Sequence, residues 1–140
     1  MVPIREKITD LIQSIKPLDE LEKSHQKDVL HWIKSGVEIF RIEKPDKPPK
    51  HLVSYFVVID TENQAILLVD HIKAELWLPT GGHVENGEDP KFTVEREALE
   101  ELGISAKFLE ESPFFITVTA TVGKTAGHTD VSLWYLLSAS

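Results

Sequence analysis

The chain has 140 residues, 41% of them hydrophobic and 27% charged, which suits one domain with a buried core and an ordinary polar surface. It contains no cysteine, which excludes disulfides and thiolate-bound metals and accords with a cytoplasmic location. A formal net charge of −8 has the wrong sign for gripping a nucleic-acid backbone, so no long nucleic acid is expected as a partner, and a phosphate-bearing ligand needs a counter-charge such as a divalent cation.

The N-terminus MVPIREKITDLIQSIKPLDE has no uninterrupted apolar stretch and no small-residue cleavage signal, so no secretory leader is expected. No run approaches the 18 apolar residues of a membrane span, and no membrane partner is expected. Val2, Ile4, Ile8, Leu11, Ile12 and Ile15 recur at helical spacing, and Pro17 ends that helix. A second helix is predicted from Leu18 to Ser35, with Leu18, Leu21, Val29, Trp32 and Ile33 on its apolar side and Gly36 as its stop. Residues 37–42 read as a short extended segment. The run KPDKPPK at 44–50 carries three prolines and reads as a connector. It divides a helical N-terminal extension, 1–45, from a main domain, 51–140.

Beyond the connector the period changes to two. HLVSYFVVID (51–60) reads as a strand, Thr61 to Asn63 as a turn, and Gln64 to Val69 as the returning strand. Short strand pieces are predicted at 76–78 and 83–85, around Gly81-Gly82. One strong helix follows from Asp89 to Leu102, with Asp89 as N-cap, Pro90 in the first turn and Gly103 at the C-terminal stop. Phe92, Val94, Ala98, Leu99 and Leu102 make its apolar face. Further strands are predicted at 106–109, 114–122 and 131–137. Helices on a mixed sheet give an α+β fold, an α/β/α sandwich.

The chemistry concentrates on that last helix. At about 100° per residue, Glu97, Glu100 and Glu101 fall within an arc of roughly 100°, with Arg96 beside them. Like charges so close, near a helix C-terminus, oppose folding, and a solvated acidic face is the bland alternative. Hard divalent cations take oxygen ligands, so a carboxylate cluster of this kind has a physical purpose if it holds Mg²⁺.

The segment from Gly82 to Ile104, GHVENGEDPKFTVEREALEELGI, resembles the signature of the Nudix (MutT-like) hydrolases. Its fixed positions are Gly82, Glu88, Arg96, Glu97, Glu100, Glu101 and Gly103, with Ala98 and Ile104 at the aliphatic places. The resemblance implies a Nudix fold, with a mixed sheet and a catalytic loop–helix–loop. It implies a pyrophosphohydrolase that cleaves a phosphoanhydride bond of a nucleoside diphosphate linked to a further moiety. The cofactor would be Mg²⁺, or Mn²⁺, held by Glu97, Glu100, Glu101 and the Gly81 carbonyl. Glu97 is the first choice of general base, Arg96 would hold a catalytic glutamate in place, and Glu88 would stand near the metal. A departure is Thr80, which separates Pro79 from the Gly-Gly where many relatives have the proline adjacent.

Substrate contacts are expected from Trp77, Gly82, His83, His128 and Asp130, against the alternatives of a strand-surface histidine and a plain loop. Tyr55, Phe56 and Trp134 are further stacking candidates, with a core position as the commoner use of a strand aromatic, and Lys73 and Lys91 are candidate phosphate contacts. The six histidines have no zinc-type spacing. A small-molecule nucleotide is the expected partner, with noncanonical nucleotides first among the substrates. A nucleotide-binding module without catalysis is the alternative, although such a module is expected to lose a box carboxylate. Only 36 residues follow Ile104, and the family fold usually continues to a closing helix. Either the C-terminal part is truncated, or the N-terminal helices replace that layer, or the protein is unusual; a bare sheet face would favour a homodimer.

Overall fold

A computed structural model describes residues 2–71, 76–120 and 127–139, the side chains of 69–71 and 76–78 excepted. Helix α1 spans Ile4–Ser14 and α2 spans Glu20–Lys34. Asp19 caps α2, accepting from the Glu22 N–H, and Gly36 follows it at φ 85°. The two helices cap each other: the Gln26 amide donates to the carbonyls of Ile12 and Ile15, and Arg5 donates to those of Ile33 and Val37.

The sheet is built on β1 (Lys50–Asp60), which carries β7 (Thr129–Ser138) in parallel register on one side, from Lys50 opposite Thr129 to Ile59 opposite Ser138. On its other side β2 (Ala65–Ile66) and β5 (Thr80–His83) pair antiparallel. Strand β6 (Phe115–Ala120) pairs antiparallel with β7, while β3 (Val69–His71) and β4 (Leu76–Leu78) form a separate ribbon. Helix α3 (Pro90–Leu102) starts at the Asp89 cap, with Pro90 in its first turn, and ends at Gly103 in the left-handed region. The expectation of an α+β fold with a mixed sheet holds.

Strand alternation divides the side chains. Leu52, Phe56, Val131, Leu133, Tyr135, Leu137 and Ile116 point into one core with Val94 and Ala98 of α3 and Ile8, Ile12, Val29 and Ile33 of the N-terminal helices. Ser54, on the same face, donates its hydroxyl hydrogen to the Pro90 carbonyl. The opposite face of β1 and β7 carries His51, Tyr55, Asp130, Ser132 and Trp134. Among the described residues no helix is long and apolar enough to cross a membrane.

Several local expectations are corrected. Leu18 and Leu21 are exposed, and the buried residue of that turn is Glu22, at 2% exposure. Its carboxylate accepts from the N–H groups of Leu18 and of Ile116 on the free side of β6, and His25 accepts from Val118. Helix α2 thus satisfies an edge strand, which leucine could not do. Phe92 and Leu99 are also exposed, because α3 rests on Pro90, Thr93, Val94 and Ala98. Residues 37–42 form no strand, although Ile39 and Phe40 are buried and Leu52 donates to the Ile39 carbonyl. Residues 106–109 contribute only a bridge, Phe108 to Leu137. The glycines themselves belong to β5, which ends at His83, so the strand piece placed at 83–85 lies earlier. Lys73 and the end of the predicted strand at 121–122 lie outside the described residues, as does the side chain of Trp77.

Candidate active site

Arg96 organises the acidic end of α3. Its guanidinium donates to both Glu88 oxygens, Nη2 to Oε1 at 3.0 Å and Nε to Oε2 at 3.2 Å, and Nη1 donates to Glu97 Oε1 at 2.8 Å. Nη2 also reaches the His83 carbonyl at 3.2 Å, which ties the helix to β5. Glu85 and Glu100 stand at 3.7 Å and 3.9 Å. Glu88 accepts in addition from Thr93 Oγ1 at 2.6 Å and from the Glu85 N–H at 3.1 Å. Burial alone would raise the Glu88 carboxyl, but the hydrogen bonds from Arg96, Thr93 and the backbone outweigh it and hold it below its ordinary value. The Glu88 contacts raise Arg96, so it stays a fixed cation.

Glu97 lies against the glycine pair. A Cβ on Gly82 would stand 2.7 Å from Glu97 Cγ and 2.5 Å from Oε1, so only glycine lets the carboxylate lie on β5. Gly81 is equally confined, since a Cβ there would stand 2.5 Å from the Ser54 carbonyl oxygen and from the Tyr55 ring. Burial pushes the Glu97 carboxyl above its ordinary value; Arg96 pulls it down, and the charges of Glu100 and Glu101 push it up again. Glu100 and Glu101 are exposed. One guanidinium therefore serves four carboxylates, while Glu101 adds a further negative charge. Surplus charge on hard oxygen donors beside a glycine strand is the donor chemistry that suits Mg²⁺ or Mn²⁺, so the residues present fit such an ion.

The opposite side of β5 carries a second group. The His83 imidazole lies 4.9 Å from the His51 ring and 6.2 Å from that of His128, and His51 and His128 stack at 5.4 Å. His128 Nε2 stands 3.1 Å from Asp130 Oδ1 and its Nδ1 3.3 Å from Asp46 Oδ1. Burial, then the charge of Arg41 and the neighbouring His51 and His128 rings, lower His83 to about 4. Burial raises Asp130 against the pull of His128 and His51. His83, His128 and Asp130 thus come together, but His51 and Asp46 were not among the expected site residues. The alternation that sends His51 to this face was legible; its partners stand far along the chain and meet only through the sheet register.

On the same face Tyr55 and Trp134 stack at 4.7 Å with an 18° tilt. They line a pocket of about 170 Å³ with Pro79, Thr117, Thr119, Asp130 and Ser132. Trp134 Nε1 donates to Thr117 Oγ1 at 3.0 Å. Burial, and then the Asp130 charge, raise the Tyr55 hydroxyl. Phe56 is core, as strand alternation requires. Lys91 pairs with Glu111 at the surface and lies over the Phe108 ring, away from the glutamate cluster.

Residues 49–140 match the NUDIX domain family. The chain therefore belongs to the Nudix family of hydrolases, which act on nucleotide derivatives. Among solved structures it is similar to a NUDIX-family hydrolase from Clostridium perfringens, at 24% identity and a TM-score of 0.49, over 64% of this chain and 69% of that one. It is similar to the C. elegans Ap4A hydrolase at 22% identity and a TM-score of 0.44, over 62% and 66% of the two chains. A MutT/nudix family protein from Enterococcus faecalis aligns with 99% of this chain at 19% identity and a TM-score of 0.48, over 50% of its own length. The chain thus spans about two thirds of the first two and half of the third. No curated protein matches it.

Proposed function

We propose that this chain is a Mg²⁺-dependent pyrophosphohydrolase that cleaves a phosphoanhydride bond of a nucleoside diphosphate linked to a further group, with Mn²⁺ as the substitute ion. The observation that carries the reading is the Arg96 clamp. It holds Glu88 and Glu97 at the edge of β5 while Glu100 and Glu101 stay open to solvent. Glu97, Glu100, Glu101 and the Gly81 carbonyl would hold the ion, which when bound neutralises phosphate charge and activates water. Glu97 is assigned to take the proton from the attacking water. Arg96 fixes Glu97 in position, and Glu88 anchors Arg96. Gly82 keeps the strand close enough for that geometry.

Tyr55 and Trp134 are assigned the base, and their pocket suits a nucleobase rather than a whole nucleotide. His83, His128 and Asp130 lie on the same face and are the proposed polar substrate contacts, with Trp77 assigned to the same role. Noncanonical nucleotides, cleared as damaged monomers in the cytoplasm, are the first substrate class. A homodimer belongs to the same reading, supported by the exposed Ile66, Leu67 and Leu68 at the β2 edge; a monomeric mass by light scattering at micromolar concentration would remove it.

The test is phosphate and pyrophosphate release from nucleoside triphosphates, oxidised ones included, ADP-ribose, sugar nucleotides and dinucleoside polyphosphates. Each is run with Mg²⁺, Mn²⁺ or EDTA. Metal-dependent turnover lost in Glu100→Gln and Glu101→Gln supports the proposal. Nucleotide binding without turnover on any substrate would replace it with a binding module.

A further inference from the structure

We propose a second metal site, for a divalent transition ion of the zinc class, formed by His51, His83, His128 and Asp46. One ligand atom from each of the four lies within 4.8 Å of the others. Three imidazoles and one carboxylate match the donors that zinc-class ions take, whereas the α3 glutamates offer hard oxygens only.

The tautomers support the assignment. His51 Nδ1 lies 2.7 Å from the Pro48 carbonyl oxygen, which can only accept, so Nδ1 carries the hydrogen and Nε2 the lone pair. His51 is fully buried, and among the described residues Nε2 has no hydrogen-bond partner. A buried ring nitrogen of that kind calls for a partner. Asp130 Oδ1 stands 3.1 Å from His128 Nε2, an ion-pair distance, and Nδ1 faces Asp46 on the other side of the ring. The Nδ1 to Asp46 Oδ1 separation of 3.3 Å is about the edge of a tetrahedron with metal–ligand bonds of about 2.0–2.1 Å. His51 thus has the outer acceptor that ligating imidazoles ordinarily use, and Asp130 places a carboxylate beside His128.

The four ligands come from the proline-rich connector, the start of β1, the end of β5 and the segment before β7. An ion there ties the connector to the sheet. Arg41 adds a positive charge near His83, and Asp46 offsets it. Without an ion, the same rings are a packed imidazole stack.

The experiment titrates Co²⁺ into the full chain after dialysis against chelator, read by visible absorption and by thermal melting. The variants are His83→Gln and Asp46→Asn, both at half-buried positions, and Asp130→Asn. A triple variant, Glu97→Gln, Glu100→Gln and Glu101→Gln, removes the α3 donors. The expected result is one Co²⁺ per chain with the intense bands of four-coordinate cobalt, displaced by one equivalent of Zn²⁺, in the wild type and the triple variant alike. The bands vanish in His83→Gln and Asp46→Asn, while Asp130→Asn binds about 10–100-fold more weakly. His128→Gln replaces either ligand variant if circular dichroism finds it unfolded. The proposal is overturned if the wild type gives no intense band, or if the band survives the ligand variants and disappears with the α3 carboxylates.

Discussion

Gly82→Ala isolates the contact between β5 and Glu97. The backbone at Gly82 is outside the left-handed region, so alanine is conformationally permitted and any penalty comes from what its Cβ meets. The Cβ would sit 2.5 Å from Glu97 Oε1, and ordinary contact begins at about 3.4 Å, so the carboxylate must retreat by roughly 1 Å. That breaks or stretches the 2.8 Å bond from Arg96. A hydrogen bond to a charged group contributes about 1.5–3 kcal/mol. Replacing glycine returns roughly 0.4–1 kcal/mol through the unfolded chain, which leaves a net loss of about 1–2 kcal/mol. A displacement of roughly 1 Å in a catalytic group costs on the order of 100-fold in rate. Urea denaturation of Gly82→Ala, Glu97→Ala and the double variant measures the coupling, and metal-dependent turnover measures the rate. In the Glu97→Ala background the glycine replacement becomes neutral or stabilising, a coupling of at least about 1 kcal/mol. An equal penalty in both backgrounds, or a Gly82→Ala enzyme with wild-type turnover, would refute the reasoning.

Glu22→Ala leaves the Ile116 N–H on β6 without its acceptor; a loss of about 1–3 kcal/mol is expected, with increased self-association through the uncovered edge, read by urea denaturation and light scattering. The carboxyl of Glu88 is depressed in the folded state, so its contribution to stability is complete above the ordinary carboxylate value and disappears as pH falls through the depressed one; Glu88→Gln should flatten that acid limb in melts taken between about pH 6 and pH 3. Trp134→Ala removes a stacking surface of about 1–3 kcal/mol, so KM rises roughly 5- to 150-fold with kcat little changed; an unchanged KM would displace the base from the Tyr55–Trp134 pocket.

The amino-acid sequence was most informative where the physics is local. Helix α3 could be bounded to the residue because its signals, the Asp89 cap, Pro90 in the first turn and Gly103 at the end, act within a turn of where they stand. The same periodicity put Glu97, Glu100 and Glu101 on one side with Arg96, where the ion pairs now lie. It misplaced Phe92 and Leu99, because spacing defines an apolar face without saying how wide a stripe the sheet will cover. Likewise Leu21 looked like core and Glu22 like surface, until the free N–H groups of β6 gave the glutamate a buried use.

What this sequence determined by itself was therefore helix α3, its acidic face, the family pattern from Gly82 to Ile104, and the strand period that begins at His51. The tertiary structure alone decided that His51, His83, His128 and Asp46 share one cluster, and that Glu97 can rest on Gly82. Helix caps and alternation are set by neighbours within a few residues. The cluster depends on the register of β1 against β5 and β7, and a shift of one residue would send His51 to the other face.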